Sequence, residues 1–169
     1  ASDEINKLLN IAHSREVLLS NEPIKSTIEP LKKLDSMGYK INIVTGRPPC
    51  TLEASEEWLF MHEVPFHKLV FVNKYSRNMP AYKGASTISI EGLKKQNYFF
   101  AIEDSADMAL FLIENMKIPV FLLDRPWNLR FDHKGESPQY LYNISTVNEL
   151  FCHFKRLIET NPYELPVSK

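Results

Sequence analysis

The run Tyr39-Lys40-Ile41-Asn42-Ile43-Val44-Thr45-Gly46-Arg47-Pro48 decides how this chain folds. Seven residues rich in β-branched and aromatic side chains stop at Gly-Arg-Pro, so they read as a short strand ending in a turn. Upstream, Ile28, Leu31 and Leu34 share one helical face, which predicts a helix over 25–37. Pro30 would require a shifted start for that helix, and Gly38 stands where a left-handed cap would end it. Further upstream, Ile5, Leu8, Leu9, Ala12 and Val17 predict a helix over 2–19. Downstream the pattern repeats: a helix over 51–61, an apolar strand over 69–72, a polar loop over 73–86 and a short helix over 87–95. Then come an aromatic strand over 98–102, a helix over 105–115 capped by Ser105, and an apolar strand over 118–123. A strand over 140–144 and a helix over 147–159 follow, the latter opened by the capping box Thr146-x-x-Glu149. The tail 161–169 holds two prolines and is expected to fray.

Strands that alternate with helices and are continuously apolar belong to a parallel sheet covered on both faces. The expected class is therefore α/β, a Rossmann-like three-layer parallel sheet, in one domain spanning 1–169. At 169 residues and 44% hydrophobic the chain can bury a core without disulfides or a structural metal. Twenty Lys+Arg against 21 Asp+Glu leave a net charge of −1, which excludes the global basic field of a nucleic-acid polymer binder. No apolar run reaches the roughly 18 residues of a membrane span, and Ala1-Ser2-Asp3-Glu4 lacks a signal pattern. Cys50 and Cys152 form no metal or disulfide pattern, so a reducing cytoplasm is the expected compartment. Cys152 and Trp58 are expected in the core, and the histidines form no constellation.

In such a fold chemistry gathers at the carboxyl ends of the strands. The first such end is Thr45-Gly46-Arg47: a hydroxyl donor, a glycine that lets backbone N–H groups approach an anion, and a guanidinium suited to phosphate. An ordinary strand-to-helix turn would carry the same punctuation. The second is Glu103-Asp104-Ser105-Ala106-Asp107. Helix capping and the dipole explain one or two of these carboxylates. An adjacent Glu-Asp pair after a buried strand suits a hard cation such as Mg²⁺, which takes one or two carboxylates with phosphate and water. Lys74 and Lys83 lie between the two strand ends in sequence, and either could offset phosphate charge. Asp124 and Arg125 close the strand over 118–123, paired with each other or lining the same cleft.

The order of these features resembles the haloacid dehalogenase (HAD) superfamily of phosphohydrolases. Ile41–Thr45 resembles its second motif, and Glu103-Asp104 with Asp107 resembles its acidic fourth motif. Of the lysines, Lys83 fits the third best and Lys74 is the reserve. The stretches Val44–Pro48 and Phe121-Leu122-Leu123-Asp124-Arg125-Pro126-Trp127-Asn128 are most similar to the 5′-nucleotidase and 5′(3′)-deoxyribonucleotidase-like branch. The resemblance covers roughly residues 22–130. It implies a Mg²⁺-dependent phosphatase acting through an aspartyl-phosphate on a small phosphomonoester, for which that branch suggests a nucleotide. In that reading Thr45 and Lys83 are catalytic, Gly46, Arg47 and Lys74 bind substrate, Asp104 helped by Glu103 or Asp107 holds Mg²⁺, and residues 1–22 form a small helical cap.

One departure stands out. The family's nucleophile comes from an Asp-x-Asp motif on a central first strand, and none of the six aspartates here forms one. That strand is expected upstream of Ala1, between the strand ending in Thr45 and the strand ending at the acidic motif. The alternatives are a non-catalytic phosphate-binding or regulatory domain on the same fold, or an unrelated receiver-like module.

Overall fold

The computed structural model describes residues 2–74, 80–128 and 140–154. The chain forms two compact units, Ala1–Leu93 and Lys94–Lys169. Each contains a three-stranded, wholly parallel sheet, so the chain has the Rossmann-like α/β character its alternating pattern implies.

The first unit opens with two helices, α1 (Ser2–Ala12) and α2 (Arg15–Ser20), where one helix over 2–19 is expected. The break has a local cause: the Ser14 hydroxyl accepts the Val17 N–H at 3.4 Å and starts α2 afresh. Leu18 of α2 is buried, and Arg15 pairs with Glu57. Helix α3 (Lys25–Ser36) runs through Pro30 without a shifted start, and Pro30 and Leu34 are its buried residues. Gly38, at φ +87°, ends it. The N–H of Tyr39 reaches back to the Leu34 carbonyl at 3.1 Å and that of Gly38 to Asp35 at 2.9 Å, a Schellman closure.

Strand β1 (Asn42–Thr45) follows, then a short 3₁₀ turn (Pro49–Thr51), α4 (Leu52–Met61) and β2 (Lys68–Asn73). Next is β3 (Ser86–Ser89), which lies partly in the expected loop and partly in the expected helix over 87–95. Only Ile90–Lys94 form that helix, α5. The β-branched Thr87 and Ile88 pair with Phe71 and Val72 of β2. Their neighbours are serines because β3 is the exposed edge of its sheet, which hides the strand from a hydrophobicity reading. The order is β1-β2-β3, with Thr45 level with Phe71. Leu59, Leu69 and the fully buried Phe71 form one core cluster of this unit, packed by Ile43, Leu52, Trp58, Val64, Phe66 and Ala85.

The second unit contains β4 (Ala101–Glu103), α6 (Ala106–Met116), β5 (Val120–Leu123) and β6 (Leu141–Ile144), in sheet order β4-β5-β6. Helix α6 starts as expected, with Ser105 accepting the Met108 N–H at 3.4 Å. All four residues of β5 are buried, as befits the middle strand. Phe121 lies fully buried among Phe100, Tyr142 and His153. The expected capping box is present: a 3₁₀ turn (Val147–Glu149) leads into helical residues 150–154, and the Glu149 carboxylate accepts the N–H groups of Ser145 and Thr146. Val147, Leu150 and Phe154 take the buried positions, which turns Cys152 outward, against the expectation that it is core. The rest of the expected final helix and the tail 161–169 lie outside the described residues. Among the described residues no helix is long and apolar enough to cross a membrane.

Two predictions test this packing. Phe71→Ala and Phe121→Ala each empty a fully buried site, so each should cost about 3–5 kcal/mol in denaturant unfolding. The Ser145 backbone N–H, followed by the Thr146 groups, holds the Glu149 carboxyl below its ordinary range. Its stabilisation is therefore complete above the unfolded carboxylate pKa and is lost as pH falls through the lower folded value. Glu149→Gln should lower the melting temperature near neutral pH, and the difference from wild type should shrink in acid.

Candidate functional site

In a parallel sheet every strand delivers its carboxyl end to the same edge. In the first unit that edge carries Thr45 at the end of β1 and Lys74 just after β2. Strand β2 runs two residues beyond the level of Thr45 before it ends at Asn73. The Lys74 side chain then lies back across Gly46: a Cβ built on Gly46 would come within 2.9 Å of Lys74 Cε and 3.5 Å of its Cδ. Glycine at 46 is therefore what lets this lysine cross the strand end. Lys83, the lysine that the resemblance favours, is exposed in the turn ahead of β3.

Thr45 is partly buried, and its Oγ1 accepts the Arg47 N–H at 3.2 Å. That bond occupies a lone pair and leaves the hydroxyl proton to donate elsewhere. Thr45 and Arg47 line a cavity of about 290 Å³ beside β1. This lies at the small end of ligand pockets, which span roughly 300–1,000 Å³. Its walls are mostly apolar, including Ile28, Ile43, Val44 and Trp58, with the hydroxyls of Thr27 and Ser55 among them. Trp58 packs against the core as expected, while its indole N–H donates to the Asn21 carbonyl at 2.7 Å.

Burial pulls the Arg47 guanidinium below its ordinary pKa. Arginine nonetheless keeps its charge in proteins. Among the described residues no carboxylate forms an ion pair with it. A partly buried cation gains from an anionic partner, and a phosphate is one that a guanidinium fits well.

The carboxyl edge of the second unit carries the acidic residues. Glu103 closes β4 rather than following it, and its Oε1 accepts the Ser105 N–H at 3.1 Å. Asp104 is exposed directly after the strand, and Asp107 is exposed in the first turn of α6. Among the described residues no three Asp, Glu, His or Cys side chains gather into a ready-made metal cage. Mg²⁺ does not need one, since it commonly takes one or two carboxylates and completes its shell with water and phosphate. The hard oxygens of Asp104 and Glu103 fit that donor set.

Asp124 and Arg125 do not pair through their side chains. The Arg125 guanidinium donates to the Asp124 main-chain carbonyl at 3.1 Å, and the Asp124 carboxylate accepts the Ser145 hydroxyl at 3.1 Å. Sequence reasoning missed the parts played by Trp127 and Asn128. The available signal was the Pro-Trp-Asn turn immediately after a buried strand.

No family model matches this chain, and no solved structure matches it. Over 90 residues it is 26% identical to a protein of Halalkalibacterium halodurans named "Putative nucleotidase". The match takes in 53% of this chain and 40% of that protein. The chain is thus distantly similar to a nucleotidase-like protein over about half of its length.

Proposed function

We propose that the protein is a Mg²⁺-dependent phosphatase of nucleotidase type, acting on a small phosphomonoester. The observation that carries this reading is the cavity beside β1, where a partly buried Arg47 has no carboxylate partner among the described residues and shares the lining with Thr45. The distant likeness to a nucleotidase supports it.

In this mechanism Arg47 clamps two phosphoryl oxygens and the Thr45 hydroxyl donates to a third. Lys74, laid across Gly46, offsets the remaining charge, a part the resemblance assigns first to Lys83. The apolar cavity wall excludes water from the ester side. Asp104, with Glu103 and Asp107, would hold Mg²⁺. When bound at the carboxyl edge of the second unit, the ion would supply charge neutralisation. Hydrolysis through an aspartyl-phosphate needs an attacking carboxylate, and no residue of this sequence is assigned to it. Thr45, Arg47 and Lys74 are suited to hold phosphate rather than to attack it, which supports a second reading, a phosphate-binding domain without turnover.

Assay of the full chain against p-nitrophenyl phosphate and nucleoside monophosphates, with and without Mg²⁺, separates the two. Phosphate binding without turnover selects the second reading, and the absence of both overturns both. Arg47→Ala should weaken inorganic phosphate binding by about 1.5–3 kcal/mol, roughly ten- to a hundredfold, in titration calorimetry. Gly46→Ala displaces only the flexible end of Lys74, so phosphate affinity should drop roughly three- to tenfold with an unchanged melting temperature. Asp104→Asn should abolish Mg²⁺-dependent turnover while the unfolding curve stays in place.

A further inference from the structure

The ladder between β4 and β5 ends at the pair Glu103–Leu122. Beyond it, the main chain of Asp104 is no longer held by strand pairing. It is held by two side chains from the turn Asp124–Asn128 that follows β5.

Asn128 is 6% exposed, one of the few buried polar residues described. A buried amide is tolerated when its donors and acceptor are all met. Here they are: Oδ1 accepts the Arg125 N–H at 2.9 Å, and Nδ2 donates to the carbonyls of Leu123 at 2.9 Å and Asp104 at 2.8 Å. The Asn128 N–H closes the turn on the Arg125 carbonyl at 2.9 Å. Trp127 adds a second donor to the same Asp104 oxygen, its indole N–H at 2.9 Å. Its residue is 67% exposed, so burial of the ring explains little of why a tryptophan stands there.

Both lone pairs of one carbonyl are thus taken by neighbouring residues of a single turn. That fixes the plane of the peptide joining Asp104 to Ser105. It therefore fixes the direction in which the Asp104 side chain leaves the backbone. On the other side of that peptide Ser105 is tied down too, through its N–H to Glu103 and its hydroxyl to Met108.

We propose that Trp127 and Asn128 are positioning residues for Asp104, fixing its carboxylate for Mg²⁺. The inference rests on the reading of Asp104 as a metal ligand. Two variants probe it. Trp127→Phe deletes the indole N–H and keeps an exposed aromatic ring. Asn128→Asp keeps the shape but turns a donor toward two carbonyls into an acceptor.

The test is Mg²⁺ titration of the full chain by calorimetry, in the presence of inorganic phosphate, alongside thermal unfolding. Trp127→Phe should weaken Mg²⁺ binding three- to tenfold with an unchanged melting temperature. Asn128→Asp should weaken it more than tenfold. Asp104→Asn is the control and should abolish it. Wild-type Mg²⁺ affinity in Trp127→Phe, with Asp104→Asn unable to bind, overturns the positioning role and leaves the reading of Asp104 standing. Should Asn128→Asp fail to fold, Trp127→Phe decides alone. Wild-type Mg²⁺ affinity in Asp104→Asn overturns the ligand assignment and the positioning role with it.

Discussion

Parallel backbone pairing is the interaction on which the candidate chemistry depends. In the first unit β1 pairs with β2 so that Thr45 stands level with Phe71, and β2 continues to Asn73. Because the strands run the same way, the hydroxyl at the end of one and the lysine after the other meet at one edge. Phe71, fully buried below that edge, keeps the register from slipping. A one-residue slip of β2 would turn its ring out of the core.

Strand ends pose a problem that ladders do not. The last main-chain groups lose their pairing partners just where functional side chains must be held still. The two units solve it differently. At Thr45 the hydroxyl takes the Arg47 N–H and the chain turns into the Pro49–Thr51 segment. At Asp104 the carbonyl is taken by Asn128 and Trp127. Gly46 contributes by lacking a side chain, which leaves the path of Lys74 open. These are small local arrangements, and the hydrogen bonds among them contribute about 1 kcal/mol apiece. They act on direction more than on stability.

Most of the fold was legible because its signals are local. The helix over 106–116 with its Ser105 cap, the left-handed stop at Gly38 and the buried strands around Val70 and Phe121 follow from periodicity and cap chemistry within a few residues. β3 was not legible. Ser86-Thr87-Ile88-Ser89 is polar because its sheet edge faces solvent, and it is a strand because β2 offers it a ladder, which no local pattern reports. Cys152 failed for a related reason. Which stripe of the last helix is buried was settled by Val147, Leu150 and Phe154 together.

The sequence by itself determined the α/β class, the parallel strands and the residue types at the strand ends, since hydrophobic period and turn residues act over a few positions. Tertiary structure alone decided that Lys74 crosses Gly46, that Arg47 is partly buried beside a cavity, and that Asn128 spends its amide on the backbone of Asp104. Those facts depend on which strand lies next to which and on the loss of water between them. Chain segments 20 or more residues apart must meet before either exists.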